Sequence, residues 1–390
     1  MNSIHDPFIH KFPPEIGSYI FRLCLPTLDF GELYPWPKRR EVTGILRLGG
    51  VCQKWRQLAW ATPNLWEMLY LDIEPDLIEE WLGRSGVLPL TIFFVNDYSG
   101  RPEIEFAITR IIEVMNLHSG RWRNLYLDVG ADIPERLSGS KHPKLFLLDL
   151  AVNGRRSSLQ KFVMESKPFP TYLTLENFPP TSIDIGWDKI THATLHTLSA
   201  DECIEILRRA PALEHCQVRK FMEPSDDNLR TFIHSRLRTL DTSDGAGKSL
   251  NGINVLSLEQ WTHNQELSFL PVTVVVSLVE RSSCCLKILN LHGISAGLDG
   301  LLILYQAMPS LERLQMHLQS STRDRNHAMD DILIRISTRL LIRALYRPTL
   351  AAERFSLASS LWNTYQPPRV LHHFLGIAYR NSIVNVVGVL

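Results

Sequence analysis

A short apolar pattern, an apolar residue, two spacers and then alternating apolar positions, recurs along most of this chain. It reads Trp66-x-x-Leu69-x-Leu71, Leu90-x-x-Phe93-x-Val95, Trp122-x-x-Leu125-x-Leu127, Leu145-x-x-Leu148-x-Leu150, Tyr172-x-x-Leu175 and Ile190-x-x-Ala193-x-Leu195. It continues as Leu213-x-x-Cys216-x-Val218, Leu237-x-x-Leu240, Ile253-x-x-Leu256-x-Leu258, Leu286-x-x-Leu289-x-Leu291 and Leu311-x-x-Leu314-x-Met316. Most steps are 18 to 27 residues, with single steps of 16, 32 and 33. Stacked repeats have periods of roughly 20–29 residues. Alternation predicts a short strand whose apolar residues share one face. Helical segments over 76–85, 202–211, 276–282 and 301–309 precede four of the strands and end in Gly, Ser or Pro, which stop helices. One such unit cannot bury its apolar face alone, so neighbours must stack. An ordinary α/β domain with alternating strands and helices fits the same pattern.

The chain has 390 residues with 45% apolar and 21% charged content, in the range of globular proteins. Its 41 basic and 41 acidic residues cancel, which speaks against bare nucleic acid or an anionic membrane as partner. Six scattered cysteines on apolar faces and the lack of any Asn-x-Ser/Thr site point to reduced, buried thiols and a cytoplasmic or nuclear location. The first residues lack the pattern of a signal peptide, and no apolar run reaches the ~20 residues that span a bilayer.

Ahead of the recurring pattern lies a stretch of different character. Pro13-Pro14-Glu15 forms a helix start, since proline fits the first turn and Glu15 favours the positive helix end. Ile16, Tyr19, Ile20 and Leu23 then share one apolar face, and Val51, Trp55, Leu58 and Ala59 make a second. Two short helices bury little by themselves and need the rest of the chain or another protein.

These residues resemble the F-box. Its pattern is Leu-Pro-x-Glu-Ile/Leu, an Ile-Phe pair, Val-Cys-x-x-Trp and Leu-Trp. Here Phe12 replaces the leucine, Pro13 and Glu15 match, and Ile20-Phe21, Val51-Cys52-x-x-Trp55 and Leu65-Trp66 follow in order. The likeness spans 12–66 and is to fungal-type forms, which share the Thr-Pro-x-Leu-Trp ending. The segment 28–45, with Pro35, Pro37 and the basic run Lys38-Arg39-Arg40, is longer than in compact F-boxes and reads as an inserted loop.

The resemblance implies a substrate-recognition subunit of an SCF-type cullin–RING ubiquitin ligase. The F-box would dock on a Skp-type adaptor and through it a cullin, and the repeats would hold a protein substrate. A scaffold or assembly adaptor outside the ligase is the alternative. Phe12, Pro13, Ile16, Ile20, Val51, Cys52, Trp55 and Trp66 would form the docking helices, some facing the adaptor and others holding the F-box on the first repeat.

Signals for catalysis are weak. Gly247-Lys248-Ser249 suggests a phosphate loop, but the pattern needs Gly where Thr242 stands, so a surface turn is expected. His372-His373, His215-Cys216 and Cys284-Cys285 lack second ligand pairs at zinc spacing. No nucleophile elbow or dinucleotide loop occurs. Trp81, Trp122, Trp187, Trp261 and Trp362 are read as core residues. The expectation is thus an α/β chain without enzyme activity, cofactor or metal: an N-terminal helical F-box over 8–70, then an irregular leucine-rich-repeat-like α/β solenoid over 71–318. An irregular cap or tail, with a capping helix near 331–342 and a strand or sticky end at 383–390, fills 319–390.

Overall fold

The computed structural model describes residues 12–27, 37–71, 75–95, 102–139, 144–153, 161–219, 231–243, 250–264, 272–292, 303–304, 306–319, 378–380 and 383–389. The Gly-Lys-Ser turn, the segment 331–342, His372-His373 and Trp362 lie outside them, as do 28–36 of the expected loop. Contacts divide the chain into two units, Met1–Thr191 and His192–Leu390. The boundary falls inside the stretch read as one repeat domain. Each unit is mixed α/β with a parallel sheet.

The first unit opens with helices α1 (Pro14–Leu23), α2 (Arg39–Val42), α3 (Gly44–Val51) and α4 (Gln53–Trp60). Part of the expected loop is therefore helical. Strands β1 (Met68–Tyr70), β2 (Leu90–Val95), β3 (Trp122–Gly130), β4 (Leu147–Asn153) and β6 (Tyr172–Glu176) follow, paired side by side in that order. All these pairings are parallel. The 32-residue step before Trp122 carries α6 (Pro102–Leu117), the longest helix among the described residues, and the step before Leu90 carries α5 (Pro75–Arg84). Later crossovers hold the short helix α7 (Ile133–Arg136) and the two-residue strands β5 (Phe162–Val163) and β7 (Ile183–Asp184), which pair with each other.

In the second unit the main sheet runs β8 (His192–His196), β9 (His215–Val218), β11 (Thr239–Thr242), β13 (Gln260–Asn264), β14 (Ile288–His292) and β15 (Arg313–Gln319), again parallel. Helix α8 (Ala200–Arg209) begins at a capping box in which Ser199 and Glu202 satisfy each other's backbone N–H groups. Helix α9 (Val272–Ser282) precedes β14. The apolar end, read as strand or sticky tail, is the strand β17 (Ile383–Val389), antiparallel to β15 and to the short β16 (Ala378–Arg380).

Two expected motifs are displaced. Ile253-x-x-Leu256-x-Leu258 does supply a strand, β12 (Ile253–Val255), but it pairs with β10 (Phe232–His234) away from the main sheet. Leu256 is exposed there. The main-sheet strand is instead β13, with Leu258, Trp261 and His263 buried. Placing the motif at Leu258 turns the steps of 16 and 33 into 21 and 28 (237 to 258 to 286). In β2 the residues that share the face of Leu125 and Leu127 are Ile92 and Phe94, whereas the buried Phe93 aligns with Tyr126 on the other face. A register shift after Leu90 is the cause: Leu90 faces Trp122, whereas Thr91 faces Asn124. The extra residue, Arg123, moves the alternation by one position, which swaps faces.

Of the expected buried cysteines, Cys203, Cys216 and Cys284 are buried, while Cys24 and Cys285 are exposed and Cys52 is intermediate; all are unbridged. Cys24 caps the C-terminal end of α1. Trp81, Trp122 and Trp261 are core residues, and Trp187 is half-buried.

Candidate docking surfaces

The apolar face expected of α1 is present but points outward. Ile16, Tyr19 and Leu23 are 44%, 60% and 65% exposed. The helix packs inward through Gly17 and Phe21, the latter 1% exposed with its ring 4.9 Å from that of Trp55. Apolar periodicity does not single out Phe21, because its contact uses a face with one large residue; only the Ile20-Phe21 pair of the F-box-like pattern includes it. A second tie is the Ser18–Thr62 hydroxyl pair at 2.8 Å, with Thr62 also donating to the Leu58 carbonyl.

The eight residues expected to form the docking helices separate into groups. Phe12, Pro13, Ile16 and Val51 are exposed, and Leu46 joins them from α3. Ile20, Cys52 and Trp55 are half-buried between helices. Trp66 alone is fully buried. Its indole N–H donates to the Ala59 carbonyl at 2.9 Å and its ring meets Trp81 edge-on at 4.7 Å. Trp81 in turn donates to the Trp66 carbonyl at 3.0 Å. The Arg84 guanidinium lies over both Trp60, at 3.9 Å, and Trp66, at 4.6 Å. Trp66 thus fastens α4 to α5 and faces no partner.

The sheets' other face differs between the units. In the first, one row runs Tyr70, Phe93, Tyr126, Asp149, Thr174. Tyr70, Phe93 and Tyr126 stack as an aromatic ladder at 6.0 and 4.7 Å. Val42 of α2 covers it, buried with Phe93, Tyr126 and Leu147. Burial, and secondarily Asp149, push the Tyr126 phenol far above its ordinary value. In the second unit the corresponding row is polar throughout: Thr194, Gln217, Asp241, Thr262, Asn290, Gln315. All six are half-buried. Asn290 donates to Thr262 at 3.3 Å, and a hydrogen bond joins Thr262 to Asp241. Burial raises the Asp241 pKa against that bond and the nearby His215 and Arg219. Beside this row His192 and His215 stack at 4.4 Å.

Burial, and then Arg219, hold the His196 pKa down at about 4. Burial, and then His215, lower that of His192 against an opposing pull from Glu214. Both rings are neutral in the fold near pH 7. Between about 6.5 and the lower folded values the unfolded chain binds more protons, so stability falls as pH falls through this window. The thermal midpoint of the second unit is expected to drop between pH 7 and 4.5. A His192→Gln/His196→Gln variant should lose part of that slope; an unchanged slope would assign it to other groups.

Among the described residues no group of three or more His, Cys, Asp or Glu side chains is placed to hold a metal ion, and no helix is long and apolar enough to cross a membrane. No known protein family matches this chain, and no curated protein matches it.

Proposed function

We propose that residues 12–66 form an F-box that docks on a Skp-type adaptor, and that the chain is the substrate-recognition subunit of a cullin–RING ubiquitin ligase. The observation that carries this reading is the outward apolar stripe of α1. Ile16, Tyr19 and Leu23 lie in water while the Phe21–Trp55 contact and the Ser18–Thr62 bond hold the helix from behind. Leu46 and Val51 of α3 extend the exposed apolar surface. Such a surface on a folded layer suits a protein partner that desolvates it. The parallel strands with crossovers of unequal length support an irregular leucine-rich-like solenoid, whose polar row on the second unit receives a protein substrate. In this reading the chain does no chemistry; it holds two partners close and raises their effective concentration.

The test is an adaptor pulldown with Ile16→Asp/Ile20→Asp. Ile16 is exposed and Ile20 half-buried, so the double variant should lose some thermal stability through Ile20, while Ile16→Asp alone keeps the wild-type midpoint and serves as the folded control. Adaptor affinity should fall about a hundredfold, as expected for a central apolar anchor. Full adaptor binding by the folded variant would reject the docking role.

A further inference from the structure

The same helices carry a charge asymmetry that the apolar stripe does not explain. The chain as a whole is neutral, yet 37–60 holds Lys38, Arg39, Arg40, Arg47, Lys54 and Arg56 against Glu41 alone. All six cations are exposed. Glu41 is engaged locally, its carboxylate accepting the Lys38 N–H at 2.9 Å at the start of α2. Arg40 and Arg47 form no ion pair among the described residues, and the Arg47 side chain reaches the Arg40 carbonyl at 2.5 Å, joining α2 to α3. Basic and apolar positions interleave. Arg47 stands between exposed Leu46 and Val51 on α3, and Arg22 stands between exposed Tyr19 and Leu23 on α1.

We propose that the basic segment 38–47 is part of the docking surface, and that the partner seated on this layer presents an acidic protein surface around its apolar groove. This rests on the docking reading above and adds to it what the partner must look like. Val42 anchors the segment on the sheet, so its cations stand on a folded support. Exposed charges of one sign around an apolar centre speed encounter with the opposite sign and turn away like charge. Their effect decays over about 8 Å at physiological salt. The interleaved aliphatic side chains favour a groove that desolvates them over a phosphate backbone, which leaves them wet.

The experiment measures association and dissociation rates of the full chain with a purified Skp-type adaptor at 50 and 500 mM salt. The association rate should fall at least about tenfold between them, with dissociation little changed. Arg40→Gln/Arg47→Gln should slow association about fivefold or more at 50 mM salt and converge with the wild type at 500 mM. Gln keeps hydrogen-bonding capacity; should its thermal midpoint drop, Arg40→Lys/Arg47→Lys, which keeps the charge, must restore the rate. Adaptor binding with salt-independent association overturns the acidic-partner proposal and leaves the docking reading standing. No adaptor binding at either salt overturns both. Phosphatidylserine vesicles or duplex DNA captured as tightly as the adaptor, through the same two arginines, would assign the segment to a membrane or nucleic acid and overturn the proposal.

Discussion

Replacing Trp66 with alanine is expected to destabilise the first unit by about 3–5 kcal/mol, the range for large buried aromatics. The residue is 2% exposed. Its removal deletes the edge-on contact with Trp81 and one of the two rings under Arg84. It also removes the indole donor of the Ala59 carbonyl, which keeps the longer bond from the Thr62 N–H at 3.4 Å, a loss of about 0.5–1.5 kcal/mol within the total. Trp66→Phe separates the two contributions, because it restores ring volume without the N–H. Urea unfolding of both variants, with limited proteolysis between α4 and β1, measures the effect. A loss under about 1 kcal/mol for Trp66→Ala would mean the helical layer is held elsewhere.

In the second unit, Leu289→Ala should cost about 2–5 kcal/mol, transfer and cavity contributions adding. Leu289 is fully buried in the core row between Trp261 and Leu314. Two residues earlier, Lys287 is a half-exposed cation paired with Glu259 at 3.0 Å, and Lys287→Ala should leave the unfolding midpoint unchanged. The damage should also be local. Amide exchange in β13, β14 and β15 should accelerate in Leu289→Ala, while α1 to α4 keep their protection, since the two sets lie in different units. Equal acceleration in both would indicate one cooperative body.

The strands were legible where aliphatic residues mark the core positions. Leu289 and Leu291, or Leu125 and Leu127, point to their strands from the sequence alone. β13 was not, because its core positions are Trp261 and His263. A histidine is tolerated there through pairing: its Nδ1 lies 3.0 Å from the Thr242 hydroxyl, which also accepts the Trp261 indole N–H at 3.0 Å. A search for apolar alternation passes over such a triad and settles on the nearby Ile253 segment. Phe93 failed for another reason. Both faces of β2 are buried, so its composition carries no alternation, and the bulge at Arg123 that sets its register lies on the neighbouring strand.

At the candidate docking surface, periodicity located the apolar stripe of α1 but not its direction. A helix that buries one face and offers another to a partner has two interfaces, and Ile16 and Phe21 are equally apolar. Only the position of Trp55 tells them apart. Trp66 was legible as a motif residue, and its role as a fastener needed the placement of Trp81 and Arg84.

The placement of Val42 and Trp66 bears on how freely the N-terminal helices can turn. A body joined at one point swivels, and one joined along a line hinges. Here Trp66 meets the crossover helix α5, whereas Val42 rests over the Phe93 row. Two separate grips keep the helical layer from swivelling about a single point. Whatever binds the α1 stripe is therefore aimed in a fixed direction from the first sheet, as a bracket aims what is bolted to it, and a substitution that loosens either grip should widen that aim before it weakens the binding.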